Sequence, residues 1–350
     1  MRALITGGAG FIGSHLADSL LRAGHQVVVL DNLSTGHLDN LAGVIDHPRF
    51  EWVRGCVEDS SVVGPLVETA DVVFHLAAAV GVRLVMQEPI RTIETNVNGT
   101  EVVLRHAVKN RTRTIVASTS EVYGKSAILP FREDADLVLG QPTKLRWGYA
   151  ASKLIDEFLA LAYYEQRRVP VTVVRFFNSV GPRQSSRYGM VLPNFVRDAL
   201  GDRPLTIHGS GTQTRSFTWV GDVVTALLAL VDERRAIGEV FNIGNGHEVS
   251  ILELAQKVIA TVGSDSSVNF VPHAAVFGRG FEDMPRRVPD VSKIRRLVGW
   301  RPTVQLEEII NRTIEYWKQH DAEVCDTSRA APNAVAQVSA NATLQLTAQV

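Results

Sequence analysis

Tyr149 and Lys153 stand four residues apart at the start of a predicted helix, so their side chains share one face. At that spacing the Lys153 charge can lower the pKa of the Tyr149 hydroxyl, which then works as a base near neutral pH. Such a pair is also a common accident of helix faces. A second polar set, Thr119, Ser120 and Glu121, lies just beyond the predicted strand Thr114–Ala117. That is the carboxyl edge of a parallel sheet, where ligands bind in such folds. Thr119 can hydrogen-bond a reacting hydroxyl there.

The N-terminal TGGAGFIGSHL supplies a third set. Gly7, Gly10 and Gly13 follow a predicted strand and open a predicted helix. That context turns a weak glycine pattern into a dinucleotide-binding fingerprint. Gly7 permits the tight turn, Gly10 the approach of a pyrophosphate, and Gly13 close packing of the helix. The helix start then offers the free N–H groups of Phe11, Ile12 and Gly13 to phosphate. Asp31 ends the next strand, 18 residues after Gly13. Its carboxylate suits ribose hydroxyls and repels an extra phosphate, which favours NAD over NADP. Asn32 follows, and no Arg is adjacent. Lys153 can then also orient the nicotinamide ribose.

The elements that must hold these residues alternate. Arg2–Thr6, Gln26–Leu30, Asp71–Leu76, Thr114–Ala117 and Val171–Phe176 read as strands, and Phe11–Ala23, Ile93–Val108 and Ala150–Glu165 as helices. Apolar strands separated by helices imply an α/β fold with a parallel sheet covered on both faces. The expectation is a Rossmann-type, doubly wound NAD-binding domain over 1–177, with return segments near 214–245. A smaller C-terminal domain over 178–320 would bind the substrate. Residues 321–350 read as a disordered tail, because from Ala330 onward there is no Asp, Glu, Lys or Arg.

Composition narrows the class. The formal net charge is -1, which offers no basic field for nucleic acid or an anionic membrane. No apolar run approaches the roughly 20 residues that span a bilayer. The two cysteines, Cys56 and Cys325, have no metal-ligand spacing, so neither a metal nor a disulfide is expected. The first strand begins at Arg2 and no signal peptide is read there, so the expectation is a cytoplasmic protein.

Taken together, TGGAGFIGSHL, HLAA (His75–Ala78), STSEVYG (Ser118–Gly124), YAASK (Tyr149–Lys153), RFFNSVGPR (Arg175–Arg183), GSGTQTRSFTWVGD (Gly209–Asp222), FNIGN (Phe241–Asn245) and RRVPDVSKIRRLVGWRP (Arg286–Pro302) resemble the extended short-chain dehydrogenase/reductases that act on nucleotide sugars. The resemblance spans residues 1 to about 318. It implies oxidation at sugar carbon 4, with Tyr149 taking the hydroxyl proton and hydride passing to NAD. The 4-keto sugar then has three fates: epimerisation, dehydration, or loss of carbon dioxide from a carbon-6 carboxylate.

Within that family the Thr119-Ser120-Glu121 combination resembles the UDP-glucuronate decarboxylases. Dehydratases carry an Asp-Glu pair at the last two positions, and epimerases carry small or uncharged residues. The segments around Phe131–Tyr149 and Gly278–Pro289 fit the same branch, which puts Arg287 at the sugar. For the cofactor, the resemblance implies Leu76, Ala77, Ala78, Asn96 and Phe176, and Cys56 with Val57 beside the adenine. Cys56 stands where an Asp is usual. For the UDP-sugar it implies Asn178, Val191, Leu192, Thr206, His208 and Arg215, with His208 where Tyr or Phe is usual. It also implies a homodimer through the helices Ile93–Val108 and Ala150–Glu165. The rivals are a UDP-sugar 4-epimerase, a nucleotide-sugar dehydratase, and a non-catalytic NAD-binding protein on the same fold.

Overall fold

Short β-branched runs form the strands, because such side chains fit a surface buried on both sides. The computed structural model of the chain describes residues 1–187, 189–277 and 281–327. In the first half these runs are β1 (Arg2–Thr6), β2 (Gln26–Asp31), β3 (Phe50–Arg54), β4 (Val72–His75), β5 (Arg113–Thr119) and β6 (Val171–Phe176). The helices between them are α1 (Phe11–Arg22), α2 (Ser60–Glu68), α3 (Val82–Gln87), α4 (Pro89–Asn110) and α5 (Trp147–Arg167). The sequence reading gave neither β3 nor α2. β3 is a half-exposed edge strand of mixed polarity, FEWVR, and Gly64 and Pro65 interrupt the helical signal of α2.

Past β6 come β7 (Ser179–Val180), α6 (Val191–Leu200), β8 (Leu205–His208), β9 (Thr214–Ser216), β10 (Thr218–Trp219), α7 (Val220–Asp232) and β11 (Glu239–Ile243). They are followed by β12 (Glu248–Ser250), α8 (Ile251–Val262), β13 (Val268–Val271), α9 (His273–Phe277), β14 (Arg286–Arg287), α10 (Ser292–Val298) and α11 (Leu306–Thr327). β11 returns to the main sheet, whose order is β11-β6-β5-β4-β1-β2-β3. All its pairings are parallel. The strand order reverses between β1 and β4, which opens a crevice at the carboxyl ends of both.

Two cores flank this sheet. One joins α1 and α7 to one face through Leu16, Leu20, Val223 and Leu227. The other joins α2, α4 and α5 to the opposite face through Val63, Val103 and Ala160. A third core packs α6, α8 and α11 around Phe195, Leu254 and Ile310. All three helices are regular and amphipathic. A fourth cluster, with Tyr123, Phe131, Trp147, Phe177 and Met284, lies beneath the segments that carry the polar residues of interest.

α11 continues as helix to Thr327, into the stretch expected to be a disordered tail. The remainder of that expectation, residues 328–350, lies outside the described residues. Among the described residues, no helix is long and apolar enough to cross a membrane.

Candidate active site

The glycine turn joins β1 to α1 at the crevice. Gly7 has φ +71°, and a Cβ there would stand 2.8 Å from the Ala77 backbone. A Cβ on Gly13 would meet the Gly7 carbonyl oxygen at 2.5 Å, so the turn lies directly on the helix. Gly10 is the N-cap of α1, and no side chain caps that end. The first amides of a helix have no partner within it. This end therefore suits a dinucleotide pyrophosphate, with Phe11, Ile12 and Gly13 supplying the donors.

Asp31 closes the β2 end. Its Oδ2 accepts from Ala9 N at 2.9 Å and its Oδ1 from Leu33 N at 2.8 Å. Burial raises its pKa, and the two amides pull it back. Asp31 thus ties the glycine turn to the loop after β2, and its further lone pairs can serve a ribose. Beside it, Asn32 Nδ2 donates to Cys56 Sγ at 3.7 Å, and Cys56 donates in turn to Glu58 Oε2 at 3.1 Å. Val57 is buried against the α4 side of the sheet. Leu76, Ala77 and Ala78 line the β4 end and are partly buried, as is Phe176 at the end of β6.

Asn96 was expected at the cofactor. It is buried with both ends satisfied: Oδ1 accepts from Ala79 N at 2.8 Å and Nδ2 donates to Ser152 Oγ at 3.0 Å. It locks the post-β4 loop to α5.

Thr119 is the last residue of β5, and its hydroxyl oxygen accepts from Glu121 N at 3.2 Å, capping the short 3-10 turn Ser120–Tyr123. A buried network holds that turn from behind. Arg175 pairs with Glu157 at 2.7 Å and donates to the Tyr123 hydroxyl at 2.9 Å, while Ser118 donates to Glu157. Tyr149 sits in the first turn of α5 and hydrogen-bonds Thr119. Burial raises the phenol pKa and the nearby Glu121 charge raises it further; Thr119 and Arg287 oppose.

Lys153, expected to lower the Tyr149 pKa, pairs its Nζ with Asp156, one turn farther along α5. Arg287 is a cation that opposes the rise. Close by, His75 bonds the Thr6 and Thr100 hydroxyls and is fully buried. Burial, and then the Lys153 charge, push its pKa down to about 3, so it is neutral.

A chain of alternating charge runs away from Tyr149. Glu121 Oε1 accepts from Arg287 Nη1 at 3.2 Å and Oε2 from Arg146 Nη1 at 3.3 Å. Arg146 Nη2 donates to Asp283 Oδ1 at 3.0 Å, and Arg215 Nη2 to Asp283 Oδ2 at 2.8 Å. Strand pairing makes this possible: β9 and β14 run parallel with Arg215 opposite Arg287. Burial works to raise the Asp283 pKa, but Arg215, Arg146 and Arg287 outweigh it and hold it low. Burial, with Arg287 nearby, brings Arg215 down to about 10, still charged at neutral pH. Three guanidiniums face two carboxylates, so the cluster carries surplus positive charge suited to an anion. Ser120 is buried beside Glu121. No Asp stands next to Glu121 on that turn.

Sequence reasoning missed Arg146 and Asp283. Both lie in segments that carried the family resemblance, but nothing in their spacing marked them as partners.

The remaining expected ligand residues are dispersed. Asn178 has φ +34° and its Nδ2 donates to Ser216 O at 2.9 Å, bracing the β6 end against β9. The Leu192 side chain is fully buried in the third core, and Val191 packs against it. Leu192 thus serves the core with its side chain, while Asn178 and Val191 are only partly buried. Thr206 and His208 alternate outward on β8. The pKa of His208 is lowered by burial and by its neighbours His273 and Arg83.

Comparison with known proteins follows from this geometry. The family model for GDP-mannose 4,6 dehydratase matches residues 4–313. A UDP-N-acetyl-alpha-D-glucosaminuronate decarboxylase of Bacillus cytotoxicus is 43% identical, covering 91% of this chain and 98% of that one. UDP-glucuronic acid decarboxylase 1 of Danio rerio is 40% identical, over 91% of this chain and 73% of its own. Among solved structures, a UDP-glucuronic acid 4-epimerase from Bacillus cereus, in complex with UDP-glucuronic acid and NAD, superposes with a TM-score of 0.82 at 30% identity. It covers 91% of this chain and 99% of that one.

Proposed function

The chain belongs to the GDP-mannose 4,6-dehydratase family, and from that membership we propose that it is an NAD-dependent UDP-glucuronate decarboxylase. It oxidises the sugar at carbon 4 and releases carbon dioxide. The product is the UDP-4-keto-pentose, or UDP-xylose where the hydride is returned. The observation that carries this reading is the Glu121–Arg287 pair facing Tyr149 inside a cluster with surplus positive charge.

The glycine turn, the uncapped start of α1 and Asp31 suit NAD: free amides for the pyrophosphate and a carboxylate for the ribose. Oxidised nicotinamide held there would supply the hydride acceptor and a positive ring that favours the ionised phenol. Tyr149 takes the proton from the carbon-4 hydroxyl, and Thr119 orients that hydroxyl. The resulting ketone is beta to the carbon-6 carboxylate. When the bond between carbons 5 and 6 breaks, its electron pair passes toward the ketone oxygen. There the protonated Tyr149 and Thr119 donate hydrogen bonds to the developing enolate. Arg287 and Arg215 supply cations for the uronate and the diphosphate. Ser120 is a far weaker acid than an Asp for expelling a carbon-6 hydroxyl, which weighs against the dehydratase route.

The similarity to an enzyme of the 2-acetamido uronate supports a second substrate of the same class. We also read the protein as a cytoplasmic homodimer. Ile90 and Ile93 on α4, and Ile155 and Phe158 on α5, are exposed on two neighbouring helices. Incubation with UDP-glucuronate and with its 2-acetamido counterpart should release carbon dioxide from at least one. No release from either, with interconversion of UDP-glucose and UDP-galactose, would replace this reading by a 4-epimerase.

A further inference from the structure

Glu121 is held by two arginines of different character. Arg287 lies on the two-residue strand β14, and its side chain keeps 15% of its surface exposed. Arg146 immediately precedes α5 and keeps only 3%. Its guanidinium lies 5.3 Å from the Trp147 ring centroid and 5.4 Å from that of Phe281. Both of its terminal nitrogens are engaged, one by Glu121 and one by Asp283. Arg287 can be reached by an incoming anion, whereas Arg146 is enclosed by rings and carboxylates.

We propose that Arg146 is a positioning residue for Glu121: it is the fixed cation that keeps this carboxylate in the site when Arg287 turns to the substrate. The inference rests on the uronate reading above. When the sugar carboxylate draws Arg287, the Oε1 side of Glu121 loses its partner. A buried carboxylate stripped of both cations costs far more than one that keeps one of them. It would follow Arg287 or turn away, and it would face the substrate carboxylate as a like charge. Arg146 removes that choice by holding Oε2. It can do so because the two ends of its planar fork donate to separate carboxylates in a fixed geometry, which a flexible ammonium does not impose. Asp283 completes the device by fixing the other prong and tying it to Arg215.

The test is a cycle of variants in the full chain, Arg146→Gln, Arg146→Lys, Glu121→Gln and Glu121→Gln with Arg146→Gln, assayed for carbon dioxide release from the uronate that the wild type accepts. Arg146→Gln should lower kcat about 30-fold or more while KM moves less than about threefold. Arg146→Lys should recover part of that loss. In the Glu121→Gln background, removing Arg146 should cost less than about threefold more, because it acts through Glu121. An Arg146→Gln kcat within about threefold of wild type, or the same loss in both backgrounds, would overturn the proposal. Should Arg146→Gln lack a cooperative melt, the cycle is run with Arg146→Lys: a kcat loss that shrinks in the Glu121→Gln background supports the proposal, and an equal loss or no loss in both backgrounds overturns it. A wild type that releases no carbon dioxide sinks the functional reading and this inference together. An active wild type with an unaffected Arg146→Gln sinks the inference alone.

Discussion

Gly7, Gly10 and Gly13 fall in one short turn and offer main-chain amides, whereas Glu121, Arg146, Arg215, Asp283 and Arg287 come from distant stretches and offer charge. The cofactor side contains groups neutral or paired at close range: His75 between two hydroxyls, Lys153 against Asp156. The substrate side is a connected ladder of arginine and carboxylate with one cation in excess. A phosphate common to every dinucleotide can be met by backbone, which does not vary with side-chain choice. A distinguishing carboxylate needs placed guanidiniums, and those can be supplied only by tertiary pairing.

Tyr149 stands where the two sides meet, so replacing it should break both. Tyr149→Phe should lower carbon dioxide release about a thousandfold and leave NAD bound, as measured by turnover and by cofactor retained on gel filtration. Activity within tenfold of wild type would remove the phenol from the mechanism.

Glu121→Gln should separate the sides. Its charge helps to raise the Tyr149 pKa, so its removal eases loss of the phenol proton. Carbon dioxide release should fall about a hundredfold. Reduced nicotinamide, read by its absorbance, should build up as oxidation outruns cleavage. A parallel loss of both signals would show that the two sides work as one unit.

Gly7→Ala tests the backbone side alone. The residue has φ +71°, and the new Cβ would press on Ala77 at 2.8 Å. Destabilisation of about 1–3 kcal/mol is expected, with weaker NAD binding that is the same whichever sugar is supplied. Thermal melts and cofactor titration measure the two effects. A change in preference between uronates would contradict the division.

The effect that is smallest at neutral pH concerns acid. His75 has a folded pKa of about 3 against 6.5 when free, so the unfolded chain binds the proton between those values and the native chain does not. Its contribution is complete above pH 6.5 and drains as pH falls toward 3, by about 1.4 kcal/mol per unit at most. His75→Asn should flatten that limb of a stability-versus-pH curve, while the charged side, where Asp283 is held low, keeps its own loss at lower pH.

The contrast also explains what could be read from the sequence. The glycine turn, Asp31, Thr119, Tyr149 and Lys153 are legible because local spacing and element type place them. The six leading strands and both sheet faces follow from apolar runs, except β3, whose half-exposed edge dilutes the signal. Arg287 came only through resemblance. Arg146 and Asp283 escaped because an ion pair across 137 positions leaves no periodicity behind. Asn96 and Leu192, expected at ligands, also serve as a loop anchor and a core residue, contacts that no local spacing announces.

The parallel pairing of β9 with β14 places Arg215 opposite Arg287. Glu121 and Arg146 are only 25 positions apart, whereas Arg287 reaches the same carboxylate from 166 positions away. The cation nearest the substrate is therefore set by the seating of a two-residue strand, so a small shift of β14 against β9 would move Arg287 and leave the Glu121–Arg146 contact in place.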